Sequence, residues 1–246
     1  MTVPPSRSLP QSKMSPNPQV TVKIAFVLDC TGSMEPWIHE AKTKINEMID
    51  TNRDLHPNAH FEVALVAYRD YGDAVRRRVV DFTTPNQIVQ ALRQIHAEGG
   101  DDEAEDVAGA LDRICSLTWG PSDVRMLFHI ADAPAHGMLY HEPRVSDRFP
   151  DGDPDGNDPK RLLRHLAGME VDYTFVRITS STDKMIDVFH ETYTRREGRF
   201  RVIDLHPQSY DGRYGPRRNN MAELLSPAVT RIVSEAVTQH SASQDM

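Results

Sequence analysis

Asp29, Thr31 and Ser33 occupy alternate positions in VLDCTGSMEPW (27–37), immediately after an apolar run. A carboxylate followed by hydroxyls at i+2 and i+4 offers hard oxygen donors from one short loop. Asp132 closes a second apolar run, VRMLFHIAD (124–132), and EGGDDEAEDV (98–107) places Asp101 and Asp102 behind two glycines that permit a tight turn. Carboxylate and hydroxyl oxygens suit a hard divalent cation. Near-octahedral oxygen coordination with some retained water is the preference of Mg2+, and Mn2+ or Ca2+ takes similar donors. Soft ligands are missing from these loops apart from Cys30. If the strand pleat continues, Cys30 faces away from Asp29 and belongs in the core. The plain alternative is a helix cap, with Ser33 capping a helix that starts near Pro36 and the acid favoured by its dipole.

These residues do chemistry together only if their loops meet. The sequence alternates strands and helices. Strands are expected at 20–28, 60–68, 75–82, 124–132, 171–178 and 199–205. Helices are expected at 35–54, 86–95, 104–117, 159–169, 183–195 and 221–239, the last interrupted near Pro227. The short turn RDYGDA between the second and third strands favours an antiparallel hairpin, whereas the near-continuous apolar run at 124–132 suits a central parallel strand. The expected fold class is α/β, a doubly wound, mostly parallel six-stranded sheet with one antiparallel edge strand and helices on both faces. Ligands in such sheets sit beyond the carboxyl ends of the strands, where Asp29 and Asp132 fall.

The expected organisation is a disordered leader at 1–19, with five prolines and four serines, one domain at 20–240 carrying a long polar loop insertion at 133–158, and a flexible tail at 241–246. The 246 residues hold 36 acidic against 28 Lys and Arg side chains, a net charge of −8, which argues against nucleic acid or an anionic membrane as partner. No stretch approaches the roughly 20 apolar residues of a membrane span. Two cysteines and no secretory signal pattern fit a reducing, cytoplasmic setting.

The motif DCTGSM resembles the metal-ion-dependent adhesion site of von Willebrand factor type A domains, Asp-x-Ser-x-Ser followed by a distant Thr and a distant Asp. AYRDYGD (67–73), GGDDEAEDVAGAL (99–111) and HIADAPAHG (129–137) further resemble the subgroup associated with alpha-kinases. The resemblance spans roughly residues 20–240. It implies metal ligation by Asp29, Thr31, Ser33 and Asp132, with Thr31 replacing the commoner first Ser. The distant Thr gives way to an acidic turn, in which Asp102 is the first choice and Asp101 the second. The implied function is non-enzymatic: a carboxylate on a partner protein completes the Mg2+ coordination sphere, and a kinase-associated complex is the implied setting. Two other functions compete. One is a Mg2+-dependent phosphohydrolase with Asp29 as nucleophile and Lys160 as a candidate phosphoryl-balancing cation, although haloacid-dehalogenase-like phosphatases use Asp-x-Asp where this chain has Thr31. The other is a scaffold with a purely structural metal.

The remaining candidates have dual readings. Asp70 and Asp73 either help shape the rim of the site or simply make a turn in which Gly72 takes positive φ. DGDPDGND (151–158) starts like a calcium loop, with Asp151, Asp153 and Asp155, but its twelfth position is Leu162 where an EF-hand needs Glu, so a flexible acidic loop is preferred. His136 and His141 form a conceivable zinc pair, though hydrogen-bonded histidines are preferred. His129 is expected as a satisfied core residue, Glu105 and Asp106 as complements to a helix N-terminus, and the RRR run at 76–78 as an alternating strand face.

Overall fold

β1 (Thr21–Asp29) takes a central place because both of its faces are apolar. Val22, Ile24, Phe26 and Leu28 enter one core layer, while Ala25 and Val27 enter the other. The structure, a computed structural model, describes residues 20–193, 199–205 and 219–244, so the proposed leader and the loop at 206–218 lie outside the described residues. The other strands are β2 (His60–Tyr68), β3 (Arg77–Thr83), β4 (Val124–Ala131), β5 (Asp172–Arg177) and β6 (Phe200–Asp204). They form one sheet in the order β3-β2-β1-β4-β5-β6. Every pairing is parallel except β2 with β3, which is the expected hairpin and puts the antiparallel strand at the edge.

Helices cover both faces. α1 (Glu35–Leu55), α2 (Pro85–Arg93) and α6 (Asn219–Gln244) pack on the first face through Trp37, Ile45, Ile88, Leu225 and Val229. α3 (Val107–Cys115), α4 (Pro159–Gly168) and α5 (Asp183–Tyr193) pack on the second through Leu111, Leu163, Leu166 and Phe189. The interruption expected at Pro227 does not occur: α6 runs through it, and on to Gln244. A proline removes one helix hydrogen bond, but buried Leu225 and Val229 on either side anchor the helix to the sheet. Among the described residues, no helix is long and apolar enough to cross a membrane.

The topology explains why distant loops meet. The order in which strands are added reverses between the parallel neighbours β1 and β4, and Leu28 is paired with Ile130, so Asp29 and Asp132 leave adjacent strands at nearly the same height. Backbone bonds tie the first loop to the acidic turn: Gly32 N–H donates to Gly99 C=O (3.0 Å) and Glu98 N–H to Cys30 C=O (3.1 Å). Buried Arg69 staples the same edge, donating to the carbonyls of Cys30, Val75 and His96. The long stretch 133–158 lies packed across the rim, with Ala135, Tyr140 and Val145 buried and Glu105 bridged to Ala135.

Candidate functional site

The end of β1 starts a continuous string of oxygens. Asp29 is fully buried; its Oδ1 accepts the Thr31 backbone N–H (3.0 Å) and hydroxyl (2.7 Å). The Thr31 and Ser33 hydroxyls lie 3.2 Å apart, and Ser33 donates to Asp132 Oδ1 at 3.1 Å. Neither hydroxyl caps a helix: the short 3-10 turn Gly32–Met34 and then α1 both start without a side-chain cap bond. The cap alternative therefore fails, because the hydroxyls are committed to carboxylates. Cys30 points the other way as expected, buried, with its thiol donating to Leu28 C=O and its pKa pushed up by burial.

This string is rich in carboxyl groups whose ionised forms the chain itself does not compensate. Asp29 Oδ2 is buried without a hydrogen-bond partner. Burial, followed by repulsion from Asp132, pushes the Asp29 pKa up from 3.8 to about 8. Burial also raises Asp132, against the Ser33 bond. Glu105 joins them. Its residue is 2% exposed, and burial, then the charges of Asp29 and Asp70, push its pKa up to about 11. Its Oε2 is also without a partner. A Cβ at Gly100, whose φ is +80°, would come within 2.9 Å of Glu105 Oε1 and 3.3 Å of Thr31 Cβ, which shows how closely the acid and the first loop approach. Asp106 does what was expected of both residues: it caps α3, accepting from Gly109 N–H at 2.9 Å. Glu105 instead turns inward, because its bridge to Ala135 fixes the backbone just before the helix.

A cavity of about 410 Å³ opens above this string. It is lined by Thr31, Ser33, Asp102, Glu105 and Asp132, by Thr179, Ser180 and Ser181 of the β5–α5 loop, and by Arg144, the one Lys or Arg in the lining. The three hydroxyl residues escaped the sequence reading, although the run TSST at a strand end was the available signal. Thr179 donates to the Asp132 carbonyl and Ser181 to Glu103. Lys160 is not in the lining. It lies in the first turn of α4, behind the cap Asp158.

A second cluster stands beside the first. His136 Nδ1 is 2.8 Å from Asp147 Oδ1, and its Nε2 is 2.7 Å from Asp70 Oδ1. His141 Nε2 meets Asp147 Oδ2 at 2.9 Å. Asp102, which touches the cavity, turns its Oδ2 to the Arg148 backbone N–H, while exposed Asp101 pairs with the Arg148 guanidinium at 3.0 Å. Asp73 accepts from the N–H groups of Asp70 (3.0 Å) and Gly100 (3.3 Å), and Gly72 has φ +95°. Both readings of the 70–73 turn thus hold in part: it is a glycine turn, and it braces the acidic loop.

The acids of 151–158 are spent differently. Asp153 accepts the Tyr71 hydroxyl (2.6 Å) and the Asn157 N–H (2.8 Å), Asp155 pairs with Arg76 (2.5 Å) and Arg77 (3.4 Å), and Asp151 is exposed. They fasten the loop to the β2–β3 hairpin and do not converge as a calcium loop would. Arg76 and Arg77 also reach Asp106, and Arg78 reaches Gln94, so the RRR run, which enters β3 at Arg77, is held by partners within the chain. His129 is the satisfied core residue expected. It is fully buried between the hydroxyls of Tyr68 (3.1 Å) and Tyr173 (2.7 Å), and burial lowers its pKa to about 3.

Residues 23–143 match the family model described as von Willebrand factor A domain. The chain is 36% identical over 172 residues to alpha-protein kinase vwkA of Dictyostelium discoideum, covering 68% of this chain and 27% of that protein. It is 35% identical over 101 residues to von Willebrand factor A domain-containing protein 7 of Homo sapiens, covering 41% of this chain and 11% of that protein. It therefore spans a small part of the length of these relatives. Among solved structures, the pilus adhesin SpaC of Lactobacillus rhamnosus GG in its open conformation superposes with a TM-score of 0.56 at 12% identity, over 91% of this chain and 31% of that one. Proximal thread matrix protein 1 from the mussel byssus gives 0.53 at 12% identity, over 87% and 46%. At such identity the likeness is one of fold.

Proposed function

For a chain that carries a von Willebrand factor A domain, we propose a non-enzymatic, divalent-metal-dependent role in protein binding. Asp29, Thr31, Ser33 and Asp132 hold Mg2+, or Mn2+ or Ca2+ in its place, and Glu105 adds the acid that the sequence reading sought in Asp102 or Asp101. The carrying observation is the fully buried Asp29 carboxylate, whose Oδ2 has no partner, in a string whose hydroxyls cap no helix. The donor set is all oxygen, which fits a hard cation. When bound, Mg2+ supplies an electrophilic centre with a position open to an outside carboxylate.

The chain's own residues supply the rest. Asp29 and Asp132 provide the charge and set the depth of the site. Thr31 and Ser33 bridge them and fix the first loop. Thr179, Ser180 and Ser181 form a hydroxyl wall, and Arg144 presents a cation at the mouth to orient an incoming acid. The partner is accordingly a protein presenting a carboxylate. The likeness to an alpha-protein kinase favours a kinase-associated complex as the setting, and the two free cysteines favour a reducing, cytoplasmic one. An Asp29 nucleophile is disfavoured, because its Oδ1 is held twice by Thr31.

Calorimetric titration of Mg2+ into wild type and Asp29→Ala tests the site; equal binding by both would remove it. Partner capture with and without chelator separates a binding role from a structural metal. A Mg2+-dependent phosphate-ester turnover that disappears in Asp29→Ala would replace the binding reading with the enzymatic one.

A further inference from the structure

The cluster under the 133–158 loop contains a feature that the oxygen string lacks, an imidazole held from behind. Asp147 Oδ1 accepts from Phe149 N–H (2.7 Å) and Oδ2 from Gly137 N–H (2.8 Å), so the backbone locks this carboxylate in place. It then holds His136 through Nδ1 and aims Nε2 at Asp70. Carboxylate–imidazole pairs of this kind fix the ring and its tautomer in metal sites.

Asp70 at Nε2 and the neighbouring Asp102 have oxygens to spare. Asp70 is fully buried; its Oδ1 meets His136, and its Oδ2 has no partner. Asp102 Oδ1 is likewise buried and without a partner, and the neighbouring Asp70 raises the Asp102 pKa in addition to burial. Ligand atoms of Asp102, His136 and Asp147 lie within 4.8 Å of one another. Among the described residues, no Lys or Arg forms an ion pair with Asp70 or Asp147; the Arg148 guanidinium is turned to Asp101.

We propose that Asp70, Asp102 and His136 Nε2 form a second metal site, distinct from the Asp29 string, that takes a borderline transition ion of the zinc type while Asp147 positions the imidazole. One nitrogen with two carboxylate oxygens is a donor set for such an ion and a poor one for Mg2+. The site joins the 70–73 turn to the acidic turn and the long loop, both of which contribute to the cavity lining. It stands whether or not the Asp29 string binds Mg2+.

The test uses the full chain carrying Asp29→Ala, with Zn2+ alone as the probe, followed by metal analysis after dialysis. One retained equivalent is expected, with affinity falling at least about 100-fold in added His136→Gln or Asp102→Asn. Asp102 is only half-buried, so its variant reads binding where a His136 variant fails to fold. Anomalous diffraction at the zinc edge on crystals of the wild-type chain is the independent measurement. A peak at about 2 Å from His136 Nε2 supports the site. No retained zinc, unchanged affinity in the Asp102 and His136 variants, or a map without a peak at His136 overturns it and leaves Asp70–His136–Asp147 as an ion-paired strut.

Discussion

Asp29 and Asp147 are buried carboxylates at the same edge of one sheet, but the protein treats their charge in opposite ways. The Asp147 side chain is only 2% exposed. Burial pushes its pKa up, yet the amides of Gly137 and Phe149 and the two histidines outweigh that and hold it below the ordinary value. Asp29 is the more deeply buried and receives one amide and one hydroxyl on a single oxygen; burial and then the Asp132 charge take it to about 8. Burial and the donors aimed at a carboxylate decide its charge together. One acid has both oxygens satisfied within the fold, and the other keeps one buried oxygen without a partner.

The largest expected effect falls on metal affinity. Asp29→Ala should weaken Mg2+ binding by about two orders of magnitude, some 2.7 kcal/mol, in calorimetry; retention of affinity would mean that the two regions differ for reasons unrelated to metal. Next comes a contrast in sign, read from urea unfolding without metal. Asp147→Asn should cost about 3 kcal/mol, since it removes a charged acceptor of several hydrogen bonds. Asp29→Asn should be neutral or stabilising by about 1 kcal/mol, because an amide spares the fold the cost of either protonating Asp29 or burying its charge. If both substitutions destabilise equally, the contrast collapses.

Glu105→Gln should lower Mg2+ affinity about tenfold, roughly 1.4 kcal/mol, and Asp102→Asn should leave it nearly unchanged; the reverse order would return Asp102 to the first site. pH sharpens the comparison further. Between its ordinary 3.8 and about 8, Asp29 binds a proton more readily folded than unfolded, so metal-free stability should fall as pH rises through that window, with Glu105 acting in the same direction. Asp147 acts oppositely, its contribution present above the ordinary carboxylate range and lost as pH falls. Urea midpoints at several pH values should show a shallower decline in Asp29→Asn. The smallest effect belongs to the outer loop: Asp155→Ala should cost under about 1 kcal/mol and leave any Ca2+ response unchanged, as an exposed pair does.

Much of this was legible in the residues. The strand and helix order, the edge hairpin and the apolar central strands followed from hydrophobic period and turn chemistry. Asp29, Thr31, Ser33 and Asp132 stood out because strand ends are where such sheets bind ligands. Glu105 was not legible. It sits beside a true cap residue in a run of acids, and only its backbone bridge to Ala135 turns it inward. Thr179 to Ser181 carried a weak signal. Pro227 misled, because proline's local penalty said nothing of the buried residues that hold α6 down.

The sequence by itself determined the elements, the strand-end carboxylate with its two hydroxyls, and the acidic character of the rim, since these depend on short-range pattern and residue type. Only the tertiary structure decided which acids meet and how each is compensated. A carboxylate's environment is set by groups distant in the chain: Asp29 lies by Asp132 through strand pairing, and His136 lies between Asp70 and Asp147 through the folding of the long loop over the sheet edge.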